Sequence, residues 1–176
     1  MFEIRKSKPC VALILILVIS LLLLTSCSAK GEEVTTCPKE DIKLGDIKIS
    51  LEEGEFQKEV RPENPQGYYT WYEEYEGYRY YVMQGTIKND SQKTLSQKAV
   101  EVTCDTDGKE REGKLLFSNL LKADFLGSIS SGNELPCTVF VLVKEDETPK
   151  TLHFFYNKDL KPNYSSSYDY CVDVNI

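Results

Sequence analysis

From Asp41 onward the chain is dominated by short runs in which apolar and polar residues alternate. Ile47, Ile49 and Leu51 alternate with Lys48, Ser50 and Glu52, the period of a half-buried strand. Further strands are predicted at Tyr68 to Tyr72, Tyr78 to Lys88, Leu95 to Cys104, Glu112 to Phe117, Leu135 to Val143, Thr151 to Tyr156 and Tyr168 to Val174. Turn signals separate them. Asn89-Asp90-Ser91 is one, and Asp105-Thr106-Asp107-Gly108 has the composition of a tight hairpin. Glu52 to Gln66 is acidic, holds Pro62 and Pro65, and reads as a loop. Asn119 to Leu126 is expected as a short helix or an irregular crossing. Seven to eight short strands without a long amphipathic helix predict an all-β fold, an antiparallel β-sandwich spanning residues 41–176.

The N-terminus has a different pattern. Arg5, Lys6 and Lys8 precede an apolar run from Val11 to Leu24, and small residues follow it. A basic start, an apolar core and a small-residue site describe a secretory signal peptide over residues 1–26. The run is short for a permanent span, which needs roughly 20 apolar residues. It ends in Leu24-Thr25-Ser26-Cys27, an aliphatic residue, two small residues and a cysteine. That string resembles the lipobox of bacterial lipoproteins. The resemblance implies a diacylglycerol on the Cys27 sulfur, cleavage before it, and anchoring on the extracytoplasmic face of the cell membrane. Two or more acyl chains, at about 0.8 kcal/mol per buried CH₂, hold stably where one is marginal. Residues 27–40 are polar and aperiodic and read as a tether.

Charge narrows the partners. Removing residues 1–26 takes Arg5, Lys6, Lys8 and Glu3 from 21 basic and 28 acidic side chains, leaving 18 and 27 and a formal charge of −9. That balance argues against nucleic acid, whose phosphates need a basic footprint. It also leaves membrane attachment to the lipid rather than to charge.

Four cysteines remain in the mature chain: Cys37, Cys104, Cys137 and Cys171. Outside the cytoplasm disulfides persist, and four cysteines allow three pairings. A Cys₄ zinc site is disfavoured because no two of them are close in sequence. Cys104 shares a strand face with Val100 and Val102, and Cys137 with Val139, Val141 and Val143. Both are expected to point inward and to bridge. Cys171 lies in opposite phase to Tyr170, Val172 and Val174, so it is expected outside, bridged to Cys37 in the tether.

The segment Gly85-Thr86-Ile87-Lys88-Asn89-Asp90-Ser91, continuing to Leu95, and the later Ser131-Gly132 before a strand carry a second likeness. They resemble the G-x-I/V-x-N-x-S-x-x-x-L pattern and glycine turn of small immunoglobulin-like domains of bacterial surface lipoproteins, the FxLYD and DUF4352-type families. The resemblance covers roughly residues 78–143. It implies an immunoglobulin-like sandwich and no catalytic residues.

Candidate chemistry is sparse. Tyr68, Tyr69, Trp71, Tyr72, Tyr75, Tyr78, Tyr80 and Tyr81 crowd one stretch in both strand phases. One ribbon face alone can meet the core, so some rings are expected in solvent. Exposed Tyr and Trp suit a protein partner or a cell-wall glycan. Cross-strand packing of the same rings is the plainer alternative. Tyr68, Tyr69, Trp71, Tyr72, Tyr75 and Tyr78 are the candidate binding residues, and the interspersed Glu73, Glu74 and Glu76 favour a basic or neutral partner. Asp105 to Glu110 starts like a calcium loop, but Leu116 stands where the bidentate Glu belongs. His153, the single histidine, is expected to face outward, and no Gly-x-Ser-x-Gly elbow accompanies it. The expectation is therefore a non-enzymatic binding or accessory module with no cofactor and no metal. A structural spacer without a ligand is the rival, and a hydrolase using His153 is the more distant one.

Overall fold

The computed structural model describes residues 34–158 and 168–176. The expected signal peptide, residues 1–26, and the expected lipidation site Cys27 lie outside the described residues. Thirteen strands are present among them: β1 (Thr35–Cys37), β2 (Ile42–Leu44), β3 (Ile47–Leu51), β4 (Glu55–Gln57), β5 (Tyr78–Asn89), β6 (Leu95–Ser96), β7 (Val100–Thr106), β8 (Lys109–Ser118), β9 (Phe125–Leu126), β10 (Ser128–Ile129), β11 (Glu134–Lys144), β12 (Pro149–Tyr156) and β13 (Tyr170–Asn175). The expected seven to eight is thus an undercount. Only seven of the thirteen run five residues or more. The other six have two or three residues, too few to leave a period in the sequence.

Alternation sets the faces. Ile47, Ile49 and Leu51 of β3 are buried while Lys48 and Ser50 are exposed. In β7, Val100, Val102, Cys104 and Thr106 point inward and Glu101 and Asp105 outward. The strands pair in the order β1-β13-β12-β7-β8-β11-β5-β3-β2. One strand joins two layers. The first part of β8 pairs with β7, and its continuation pairs with β11. Gly113 sits at the changeover, opposite both Val102 and Val141. A Cβ there would lie 3.1 Å from the Phe140 carbonyl oxygen and from both valine side chains, so a residue without one suits the crossing. At the far side the Tyr170 ring of β13 rests against Gly45 in the β2–β3 turn, which nearly closes the sheet on itself.

Two turns anticipated from sequence are present. Asp107 and Gly108, with φ of 48° and 83°, form the two-residue hairpin between β7 and β8. The Asn89 turn is built around a buried amide. Asn89 Nδ2 donates to the carbonyls of Lys93 (2.8 Å) and Ile129 (3.1 Å), and Oδ1 accepts from Ser91 N (3.1 Å) and Oγ (2.6 Å). Ser131 Oγ donates to the Ser91 carbonyl, and Gly132 N donates to that of Asn89. The Asn89–Ser91 and Ser131–Gly132 segments, 40 residues apart, therefore hold each other.

Two expectations change, and one open alternative is decided. Tyr68 to Tyr72 is not a strand; it lies in the long connection from β4 to β5 and touches a ladder only through an isolated Val60–Tyr72 bridge. Residues 119–126 take the irregular alternative rather than the helix, with turns and the two-residue β9. The sheet begins inside the stretch read as tether, because β1 pairs in parallel with β13. The main core lies between the two layers. A second, smaller one lies outside them, where Val60 of the long connection covers Tyr80, Val82, Leu116 and Phe140.

Candidate functional site

The long connection is fastened over the outer face of β5, β11 and β8. Val60 and Tyr72 exchange both backbone hydrogen bonds at 3.0 and 2.9 Å. Tyr80 Oη donates to the Glu73 carbonyl at 2.9 Å, and Asn64 N donates to that of Lys122. The Tyr72 ring packs 4.7 Å from Phe140, which meets Tyr80 edge-on at 5.5 Å. Such pairs contribute about 0.5–1.5 kcal/mol beyond their buried area.

Beside this seam opens a cleft of about 390 Å³ walled by Tyr72, Tyr78, Tyr80, Phe140 and Leu142, with Arg111, Glu112 and Lys114 along its polar side. Tyr75 stands at its edge, 61% exposed, with its ring edge-on to Tyr78 at 5.2 Å. Trp71 is 49% exposed and Tyr68 is fully in solvent. Tyr69 is half-buried, and Tyr80 is buried. The structure thus brings Tyr72, Tyr75 and Tyr78 together and leaves Tyr68 and Trp71 on the open loop.

The two cations of the cleft differ. Arg111 is bound to Glu147, a nearly buried carboxylate that also accepts from Lys144 N and lies 3.4 Å from Lys109 Nζ. The Arg111 hydrogen bond outweighs desolvation and holds the Glu147 pKa down at about 2. Lys114 instead stands with its ammonium 5.1 Å from the centre of the Tyr72 ring. Phe140, Leu142, Arg111 and Lys114 were missed by the sequence reading. The unbroken apolar run Val139 to Val143 is the signal that both faces of β11 are covered.

His153 lies on the other outer face. Its Nδ1 is 2.7 Å from Asp173 Oδ1, and its Nε2 is 3.4 Å from Asp105 Oδ2. The ring is mostly covered but reaches solvent. Asp107, part of the calcium-like string, is taken by Lys150 at 2.7 Å and by the Thr148 amide. Among the described residues no group of three or more His, Cys, Asp or Glu is placed to hold a metal ion.

The expected bridges Cys104–Cys137 and Cys37–Cys171 are not formed; all four residues stand as thiols. Cys104 and Cys137 are both buried in the core, as their phases require. They are nevertheless far apart along β8, where Cys104 is opposite Arg111 and Cys137 opposite Phe117. Six residues of strand separate those levels by about 20 Å, against the roughly 7 Å limit for bridged Cα atoms. Cys37 is level with Val174 and packs toward the core, whereas Cys171 lies on the opposite face. Cys171 is on the outer face, as its phase requires, but is buried there. Burial pushes the Cys104 pKa up to about 11 and raises that of Cys137, so both stay protonated and poorly nucleophilic at neutral pH.

No protein-family model matches the chain, and no curated protein matches it. Among solved structures it is similar to an uncharacterized β-sandwich protein from Clostridium difficile 630, with a TM-score of 0.60 at 14% identity, over 99% of both chains. At that identity the likeness is one of fold: the chain is a β-sandwich.

Proposed function

We propose that this chain is a lipid-anchored, non-enzymatic binding module of the bacterial cell surface, with an immunoglobulin-like domain and its ligand seat in the aromatic cleft. The carrying observation is the arrangement of Tyr75 and Tyr78. A 61% exposed ring leans on one that walls a cleft, so the apolar surface runs unbroken from solvent inward. Rings held by neighbours lose little freedom on contact, which favours them as anchors. The immunoglobulin-like reading draws support from strand order: β13-β12-β7 in one layer and β3-β5-β11 in the other follow the G-F-C and A-B-E order of that fold. The lipobox at Leu24 to Cys27 supports the anchor. The partner is a surface protein or cell-wall glycan that offers an apolar or sugar face.

The test is crosslinking on intact cells that display the chain, comparing it with a Trp71→Ala plus Tyr75→Ala variant at equal surface level. The reading predicts that the variant loses a captured species. Identical capture profiles overturn the binding role. Cys27→Ala tests the anchor separately and is expected to release the protein into the medium; retention of the variant on the membrane contradicts lipidation.

A further inference from the structure

On the outer face of the layer formed by β13, β12 and β7, one imidazole spans three strands. His153 on β12 is directly opposite Asp173 on β13, and Asp105 on β7 is one step diagonal to it, opposite Thr151. Each ring nitrogen meets a carboxylate oxygen, Nδ1 at 2.7 Å and Nε2 at 3.4 Å. A neutral imidazole carries one N–H and one lone pair. It satisfies one aspartate and turns a lone pair toward the other. Only the imidazolium donates to both.

We infer that His153 is a proton-dependent strap that fastens strand β13, and through it the edge strand β1, to the rest of the sheet. The role is independent of the aromatic cleft. β13 is the strand on which β1 depends, with Thr36 level with Asp173. The surrounding charges favour the protonated form. From β7 come Asp105 and Glu101, the latter accepting from Tyr168 Oη, and from β8 Glu110 and Glu112, opposite Asp105 and Thr103. β13 supplies Asp173, with Asp169 just before it bound to the Lys158 amide. On β12 itself Lys150 is held by Asp107, and β1 presents only Thr36 at this level. Burial alone lowers the His153 pKa, but the hydrogen bonds and charges of Asp173 and Asp105 prevail and raise it above 6.5.

The sign follows from that direction. A folded-state pKa above that of the detached strand means the strap is fully present below about pH 6.5 and is lost as pH rises through the raised value. Every unit between the two pKa values is a tenfold change in the opening equilibrium.

The chain has a single histidine, so its ring resonance in an NMR titration is unambiguous. The experiment records that titration and amide exchange protection, corrected for intrinsic rates, between about pH 5.5 and 8.5 on the full chain. The expected results are a His153 midpoint above 6.5 and protection in β13 and β1 that falls through it while that of β5 holds. His153→Gln abolishes the selective fall, and Asp173→Asn, which keeps the ring, moves the midpoint down. A midpoint at or below 6.5, equal pH dependence in β5 and β13, or an unchanged profile in His153→Gln overturns the inference.

Discussion

The two outer faces of this sandwich solve the same problem in opposite ways. Over β5, β11 and β8 the sheet is apolar on its outside, with Tyr80, Val82, Leu116 and Phe140 buried under a long connection. Over β13, β12 and β7 the outside is mainly polar, with Glu101, Thr103, Asp105, His153 and Asp173, while Phe155 packs against Tyr168 and Cys171 is buried at one end. A covered face needs apolar residues in both phases of its strands, and an uncovered one needs strict alternation. The first is stabilised by burial and leaves an aromatic cleft at the margin of its cover. The second is cross-linked by charge and responds to protons.

Removing the cover's keystone is expected to have the largest effect. Phe140 is 4% exposed and meets both Tyr72 and Tyr80. Phe140→Ala is expected to cost about 3–5 kcal/mol in denaturant unfolding and to open residues 58–77 to proteolysis. Loss of stability without new cleavage in that segment would separate the cover from the sheet face beneath it.

A second effect belongs to Glu147. Its depressed pKa adds stability that is present above the ordinary 4.5 and is lost as pH falls through about 2. Glu147→Gln is expected to lower stability at neutral pH and flatten the acid limb of the stability curve. An unchanged acid limb would show that Arg111 does not need its partner, and Arg111 would then be available in the cleft.

The thiols give a sharper yes or no. No S–S bond joins the four cysteines among the described residues, so the intact mass and thermal midpoint of the chain from residue 34 onward are expected to be the same with and without reductant. A mass shift on reduction would mean that a strand has left the register described above, since neither pair is within bridging reach. The smallest effect is expected from Trp71→Ala plus Tyr75→Ala, within about 0.5 kcal/mol of wild type per site, because both rings are largely in solvent.

Much of the fold was legible from alternation. The strands β3, β5, β8, β11, β12 and β13 follow the runs read from the sequence, β7 is the second half of a Leu95 to Cys104 run that a 3-10 turn at Gln97–Ala99 breaks, and the hairpin at Asp107-Gly108 is where its chemistry places it. The short strands were not legible, because two or three residues hold no period. Tyr68 to Tyr72 misled for a physical reason: aromatic residues favour strands because they fit a half-buried surface, and a loop lying on a sheet offers that same environment. The cysteine phases were right for Cys104, Cys137 and Cys171, but phase fixes a face and says nothing of cover over that face or of level along the strand. Register supplies that level, and it arises from pairings remote in sequence. The candidate site was half legible: Tyr72, Tyr75 and Tyr78 converge, while their companions Phe140 and Leu142 come from a strand more than 60 residues away.

Surface capture with one variant on each face separates binding at the aromatic cleft from binding at the polar face. Trp71→Ala plus Tyr75→Ala alters the aromatic margin, and Asp105→Asn plus Asp173→Asn alters the polar face. The first is expected to lose the captured partner and the second to retain it. Retention by the first, or loss by the second alone, would contradict the assignment of binding to the aromatic cleft.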